Sequence, residues 1–433
     1  MGYREENSYG WLEVDVGGET ELKTSLGKLI EKSDLSEDQT IAYDHVDTWL
    51  LKPNGKKVLT LGGYAGTGKT TLVSLIAKSG TRCVAFCAYT GKAANVLAQK
   101  LRASGVEPAY CGTIHRMIYN PKMDEKTGAV LDWERVEELP YDLIVVDEAS
   151  MVDEAMFSDL QKYNIPILAV GDHGQLPPVK GQFNLMMSPD VRLEHIHRQA
   201  EGNPIIRLSV SIREHGAAAI PGNMVYPMQS VGATFVELFR APEKALSTAM
   251  LCFTNKKRIN LNGALRRTIF ENVSEVLVPR DIVVCLKNTR FGPCDHVFNG
   301  MRGSVTKVLG QAERKFFEEM EGTRSEARHV RARVEFPDDR LLLQAKMNTL
   351  QFGREKTISS FADAGLPEYS AWSEVGMLFD HGYCLTAHKA QGSEFADVAV
   401  VLEGMSYVEE DYRRRWLYTA ITRASQRLYL VQP

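Results

Sequence analysis

Gly63-Tyr64-Ala65-Gly66-Thr67-Gly68-Lys69-Thr70 has the spacing of a loop that wraps a polyphosphate. Glycines at 63, 66 and 68 let the backbone aim its N–H groups at one point, Lys69 can reach the outer phosphates, and the Thr70 hydroxyl can hold a divalent ion such as Mg²⁺. Ala65, Thr67 and Thr71 complete the cradle by position. Adjacent carboxylates follow at Asp147-Glu148, after the apolar run Leu143-Ile144-Val145-Val146. Strand alternation sends two neighbouring side chains to different places. Asp147 can then support Mg²⁺ while Glu148 orients or deprotonates an attacking water. Gln175, in Gly171-Asp172-His173-Gly174-Gln175-Leu176-Pro177-Pro178, stands where a strand ends and can sense a γ-phosphate. Arg198 and Arg423 could supply the positive charge that phosphoryl transfer needs, an effect worth about 10³–10⁵ in rate. Taken together these residues predict Mg²⁺-assisted hydrolysis of a nucleoside triphosphate.

Such groups need rigid elements behind them. Short apolar runs at Val58–Leu61, Cys83–Ala88, Leu143–Val146 and Ile167–Val170 alternate with helical patterns, the grammar of a parallel sheet wrapped by helices. A second set, Met250–Phe253, Tyr383–Leu385, Val398–Leu402 and Leu428–Val431, predicts a second α/β lobe. Between them, from about Phe291 to Asp380, a turn at Asn299-Gly300 and β-like stretches at Ser304–Val308 and Ala332–Phe336 predict a small β-rich insertion. Asn120–Trp133 reads either as a protruding hairpin or as a surface loop. The first thirty or so residues read as a polar extension with a short amphipathic stretch around Leu22, Leu26, Leu29 and Ile30.

Composition sets wide bounds. The chain has 433 residues, 44% hydrophobic and 24% charged, an ordinary globular balance that allows several domains. A net charge of −4 argues against a uniformly basic binder but leaves room for a local positive groove. Seven cysteines, odd in number and without a C-x-x-C pair, fit reduced thiols in a cytosolic protein. The start, Met1-Gly2-Tyr3-Arg4-Glu5-Glu6, carries no secretory or myristoylation pattern, and the apolar runs are of strand length, so no membrane association is expected.

The order and wording of these segments resemble a superfamily-1 helicase of the RecD/Dda type, from Leu35 to Val431. Ser36-Glu37-Asp38-Gln39 is similar to the family's adenine-reading segment, with Gln39 as base contact. Cys87-Ala88-Tyr89-Thr90-Gly91-Lys92 and Thr113-Ile114-His115 resemble its DNA-gripping segments, with Tyr89 where proline is usual and an aromatic could stack on a base instead. Leu251-Cys252-Phe253-Thr254-Asn255 resembles the opening of the second motor lobe, and Val297-Phe298-Asn299-Gly300 the start of an SH3-like insert. Thr386-Ala387-His388-Lys389-Ala390-Gln391-Gly392-Ser393-Glu394 is the most specific match after the phosphate loop.

The resemblance implies an α/β fold of two RecA-like parallel-sheet lobes. An extension would cover residues 1–33, lobe 1A residues 34–197 with a pin at about 116–139, lobe 2A residues 198–290 and 381–433, and insert 2B residues 291–380. It implies DNA contacts at Tyr89, Thr90, Lys92, Thr113, His115, Asn255, Asn299, Thr386, His388 and Lys389, and nucleotide contacts at Gly392 and Glu394. His388 also fits a satisfied core histidine, and Arg413-Arg414-Arg415 a solvated helix face. Met123 and Trp133 are wedge candidates, or hairpin packing.

The expectation is a monomeric, cytoplasmic ATP- and Mg²⁺-dependent helicase, in bacteria or a phage-infected host. It would move 5′ to 3′ on single-stranded DNA, open forked duplex, and serve replication, recombination or repair beside single-strand-binding or similar proteins. The rivals are an RNA translocase of the same class and a nucleotide-dependent clamp that does not unwind.

Overall fold

The continuous apolar runs of the first half form one sheet because both of its faces are covered. The computed structural model describes residues 12–13, 31–52, 55–78, 82–123, 130–178, 183–195, 202–271, 273–290, 296–310, 313–318, 324–337, 341–368, 370 and 372–432. In the first sheet the order is Tyr110–Thr113, Val84–Ala88, Leu143–Asp147, Ile167–Gly171, Val58–Gly63 and Val191–Leu193, all parallel. Alternate residues go to opposite faces. Leu61, Phe86 and Val145 pack under the helices Glu37–Leu50, Lys69–Lys78 and Gly91–Ala103, while Cys87, Ile144 and Val146 meet Ile114, Met117 and Phe157. Register sets Ala88 beside Asp147 and Gly62 beside Gly171, so the chemistry-bearing loops leave one edge of the sheet together.

The second sheet is built on the same plan. Thr248–Cys252, Cys384–Thr386, Phe395–Val401, Ala424–Gln432 and Val225–Pro227 run parallel, with Met250, Cys384 and Tyr429 on one face and Leu251, Leu385 and Leu430 on the other. Leu12–Glu13 adds an antiparallel edge on Leu428 and Arg427, which the sequence reading did not anticipate. The signal was there in the alternation of apolar and acidic residues along Leu12-Glu13-Val14-Asp15-Val16.

The β-rich region is an antiparallel sheet of Glu313–Glu318, Arg324–Phe336, Leu341–Asn348, Arg302–Val308, Ile282–Cys285 and Phe379–His381. It takes in Ile282–Cys285, ahead of the 291 boundary drawn from sequence, because that buried run finds both its partners, Arg302–Ser304 and Phe379–His381, inside the insertion. Tyr119–Met123 and Val130–Arg135 pair as an antiparallel hairpin. Trp133 meets His115 edge-on, with ring centroids 4.4 Å apart, so it braces the root of the hairpin. No described helix is long and apolar enough to cross a membrane.

Candidate nucleotide and nucleic-acid site

The loop after Val58–Gly63 can close only with glycine at its turns. Gly66 and Gly68 hold φ of 80° and 74°, the left-handed region. A Cβ on Gly63 would stand 2.6 Å from Thr67 Oγ1. Thr67 Oγ1 donates to the Tyr64 carbonyl at 2.9 Å, and Lys69 Nζ donates back to the carbonyls of Gly63 and Tyr64 at 2.7 and 2.8 Å. Lys69 then opens the helix Lys69–Lys78, which carries Thr70 and Thr71 in its first turn. Gln39 is buried. Its Oε1 accepts from Ser36 N–H at 3.1 Å, closing a capping box, and its Nε2 donates to the Thr67 carbonyl at 3.1 Å. It therefore ties the preceding helix to the phosphate loop.

Asp147 and Glu148 end the neighbouring strand. Glu148 holds φ 50° and ψ 40°, left-handed without being glycine, which turns the chain into Ala149–Met151. Burial raises the Asp147 carboxyl, opposed by the Glu148 backbone N–H, Lys100 and Lys69. Burial and the Asp147 charge raise Glu148, while Arg423 and Lys69 pull it down. Thr70 and Asp147 line one small internal hollow together with Val73, Phe86, Leu97, Val145 and Val170.

The second lobe reaches this place through the helix Glu410–Ile421 and the turn after it. Arg423 is buried and donates to the carbonyls of Thr419 and Ser393, each at 3.1 Å, and to Thr422 Oγ1 at 3.2 Å. Tyr418 and Thr419, unmarked by the sequence reading, dock on the first lobe. Ala65 N–H donates to Tyr418 Oη at 2.9 Å, and Leu176 N–H to Thr419 Oγ1 at 3.0 Å. Gln391 Nε2 donates to the Leu176 carbonyl at 3.2 Å. Gln175 is buried with Nε2 towards Asp172 at 3.4 Å and Oε1 without a partner. Arg198 lies outside the described residues.

The donor set suits a polyphosphate. Among the described residues neither Lys69 nor Arg423 has a carboxylate within ion-pair distance, so two sheltered cations are left for an anion to neutralise. Thr70 and Asp147 offer hard oxygen donors. With no group of three or more candidate ligands among the described residues, Mg²⁺ would fill its shell from phosphate and water, as it commonly does.

The AAA domain family matches residues 34–224, and the UvrD-like helicase C-terminal domain matches residues 381–431. The chain is 28% identical over 422 residues to the ATP-dependent RecD2 DNA helicase of Deinococcus radiodurans, covering 91% of this chain and 48% of that one. It is 22% identical over 448 residues to the ATP-dependent DNA helicase dda of Enterobacteria phage T4, covering 92% and 99%. In these matches the chain is similar to superfamily-1 helicases of the RecD/Dda type. It spans about half the length of the RecD2 relative and nearly all of the phage one. A solved structure of Bacteroides Pif1 helicase with ADP-AlF3 and single-stranded DNA is similar over 92% of both chains, at 14% identity and a TM-score of 0.48.

The residues that family likeness assigns to DNA fall into two groups. Thr113 and Thr386 end strands and Thr90 stands two residues past one, and each caps the next helix, accepting from Arg116, Lys389 and Ala93 N–H respectively, as Thr254 also does from Lys257. Asn299 is exposed on the turn before Gly300. The others have turned to protein partners. Tyr89 Oη lies 3.5 Å from Asp153, Lys92 Nζ sits 5.0 Å over the Phe395 ring across the lobes, and Asn255 Oδ1 accepts from Arg258. His115 packs against the tilted Tyr119 ring and edge-on against Trp133, and burial lowers its basicity. His388 Nε2 bonds Tyr412 Oη at 2.8 Å, the protein-satisfied alternative. Lys389 is half-buried and near enough to Arg258, Asp380 and Cys285 to feel their charges, and burial lowers its pKa to about 8. Gly392, with φ 68°, packs on Ala93 of the first lobe, and Glu394 is exposed.

Proposed function

We propose that the chain is an ATP- and Mg²⁺-dependent DNA helicase that moves 5′ to 3′ along single-stranded DNA and opens duplex ahead of it. The observation that carries the reading is the docking of a C-terminal segment on the phosphate loop, through Tyr418 on Ala65, with Arg423 close enough to Glu148 to hold down its pKa. One phosphate site is thereby shared by two lobes, so its filling and emptying change how the lobes meet. Lys69, Thr70 and the loop amides would hold ATP, and Thr70 and Asp147 would hold Mg²⁺. When bound, they supply the scissile phosphoanhydride and the charge that neutralises it. Glu148, its basicity raised by burial and by Asp147, takes a proton from water more readily than an ordinary glutamate. Arg423 and Lys69 would stabilise negative charge, and Gln175, held at Asp172 by its amide nitrogen, would sense the γ-phosphate from beside it.

The division drawn from sequence follows, with lobe 1A over 34–197, a pin at 116–139, lobe 2A over 198–290 and 381–433 and insert 2B over 291–380, amended in that Ile282–Cys285 and Phe379–His381 join the sheet of the insert. The four helix-capping threonines lie two in each lobe, which suits a backbone grip that alternates as the lobes close and open. A cytoplasmic monomer acting on forked DNA in replication, recombination or repair is consistent with this reading. The test is unwinding of forked DNA with either a 5′ or a 3′ single-stranded tail, alongside phosphate release stimulated by matched DNA and RNA oligonucleotides. Opening of the 5′-tailed substrate with DNA the better stimulator is expected. RNA equal to DNA overturns the substrate, and no stimulated phosphate release overturns the motor.

A further inference from the structure

Asp172 is a buried carboxylate, 1% exposed, with no cation at ion-pair distance among the described residues. Three groups hold it. Gly174 N–H donates to Oδ1 at 2.9 Å, Gln175 Nε2 approaches Oδ2 at 3.4 Å, and the Tyr418 hydroxyl donates to Oδ2 at 2.7 Å. Tyr418 alone of the three comes from the second lobe, and its strongest bond is the one to this charge. The same oxygen accepts from Ala65 N–H at 2.9 Å, on the phosphate loop. One hydroxyl therefore joins by hydrogen bonds two loops of the first lobe that otherwise touch through the rings of Tyr64 and His173, with centroids 4.1 Å apart. Burial, with Asp172 alongside, keeps the phenol far from ionising, so it remains a donor.

Placement on the chain adds to this. Thr419, the next residue, takes Leu176 N–H through its hydroxyl and offers its carbonyl to Arg423 Nε at 3.1 Å. Whatever seats Tyr418 also seats Arg423. The phosphate loop meets the second lobe at Tyr64 as well, whose ring lies 3.4 Å under the Arg213 guanidinium.

We propose that Tyr418 is a positioning residue for hydrolysis: its hydroxyl fixes the Asp172-held amide of Gln175 and the register of Arg423 against the phosphate loop, and so links lobe closure to turnover. The inference rests on the helicase reading above. Without the hydroxyl, Asp172 keeps only the two donors of its own loop, and Gln175 loses a fixed direction. The ring still packs, since a Cβ on Gly174 would lie 3.1 Å from Tyr418 Cε1.

The experiment is Tyr418→Phe, measured for phosphate release with and without single-stranded DNA, nucleotide Kd and melting temperature. The ratio of DNA-stimulated to DNA-free hydrolysis should fall about tenfold, within the ~5–150-fold usual for coupling between sites, with nucleotide Kd changed less than about threefold. Asp172→Asn should give the same fall, and the double variant no further fall. A ratio equal to the parent's, an equal loss of both rates with a lowered melting temperature, or additive losses in the double variant would each overturn the proposal. Absence of DNA-stimulated hydrolysis in the parent protein would instead defeat the helicase reading, and this inference with it.

Discussion

The ammonium of Lys69 lies 2.7 Å from the carbonyl oxygen of Gly63, so the lysine staples the two ends of its own loop. It has no acid partner to leave behind when it turns to phosphate, only carbonyls that water can satisfy. Lys69→Ala should abolish phosphate release while single-stranded DNA binding persists, because among the described residues the lysine bonds only its own loop. Release assays beside fluorescence anisotropy on a labelled oligonucleotide check this. Near-normal turnover would remove the loop from the chemistry.

Arg423 acts on Glu148 and, on the helicase reading, would act on phosphate too. It lowers the Glu148 pKa, so Arg423→Ala should move the acid limb of the pH–rate profile to higher pH, besides cutting the maximal rate about 10³-fold with nucleotide binding kept. The residual rate against pH is the measurement. A limb that stays in place would mean the guanidinium is too far away to be felt. Removing a buried donor from two carbonyls should also cost stability, about 1–3 kcal/mol.

Lys389 is pushed down from 10.5 to about 8, by burial first and the Arg258 charge second. Its folded pKa lies below its unfolded one, so between pH 8 and 10.5 the unfolded chain binds more protons, and stability from this group rises with pH. Below that window the buried charge is a full burden. Lys389→Met should therefore melt higher than the parent at about pH 7, with the gain largely gone at about pH 10. A gain of equal size at both pH values would contradict burial as the cause.

Phe298 packs face-on against Gly91, where a Cβ would stand 2.0 Å from the ring carbon Cγ. Alanine is the better helix former by about 1 kcal/mol, yet Gly91→Ala should lower the melting temperature because the ring must move. Adding Phe298→Ala should restore most of the loss. Calorimetry of the two single variants and the double variant decides it; a stabilising Gly91→Ala would mean the insert does not rest there.

What the sequence made legible was local. Continuous apolar runs specify strands buried on both faces, and glycines at 66 and 68 mark left-handed turns, so the two parallel sheets and the loop between Val58–Gly63 and its helix could be read directly. What escaped depends on partners far along the chain. Tyr418 reads as core until Ala65 and Asp172 are seen beside it, and Ile282–Cys285 until Phe379–His381 is. Gln39, Lys92 and Lys389 are polar side chains whose type suggests a ligand, but each has a protein neighbour that no spacing rule discloses. The edge strand at Leu12–Glu13 was legible in the alternation Leu12-Glu13-Val14-Asp15-Val16, but its partners Arg427 and Leu428 lie at the far end of the chain.

Glu148 occupies a backbone conformation that costs an ordinary L-residue about 1–2 kcal/mol and that glycine enters freely. Endurance and work are thus opposed at a single position. Variants that relax the main chain here should outlast the parent on heating and do nothing, so a screen for thermostability alone would drift towards inert proteins, and one that also demands turnover would keep the strained glutamate.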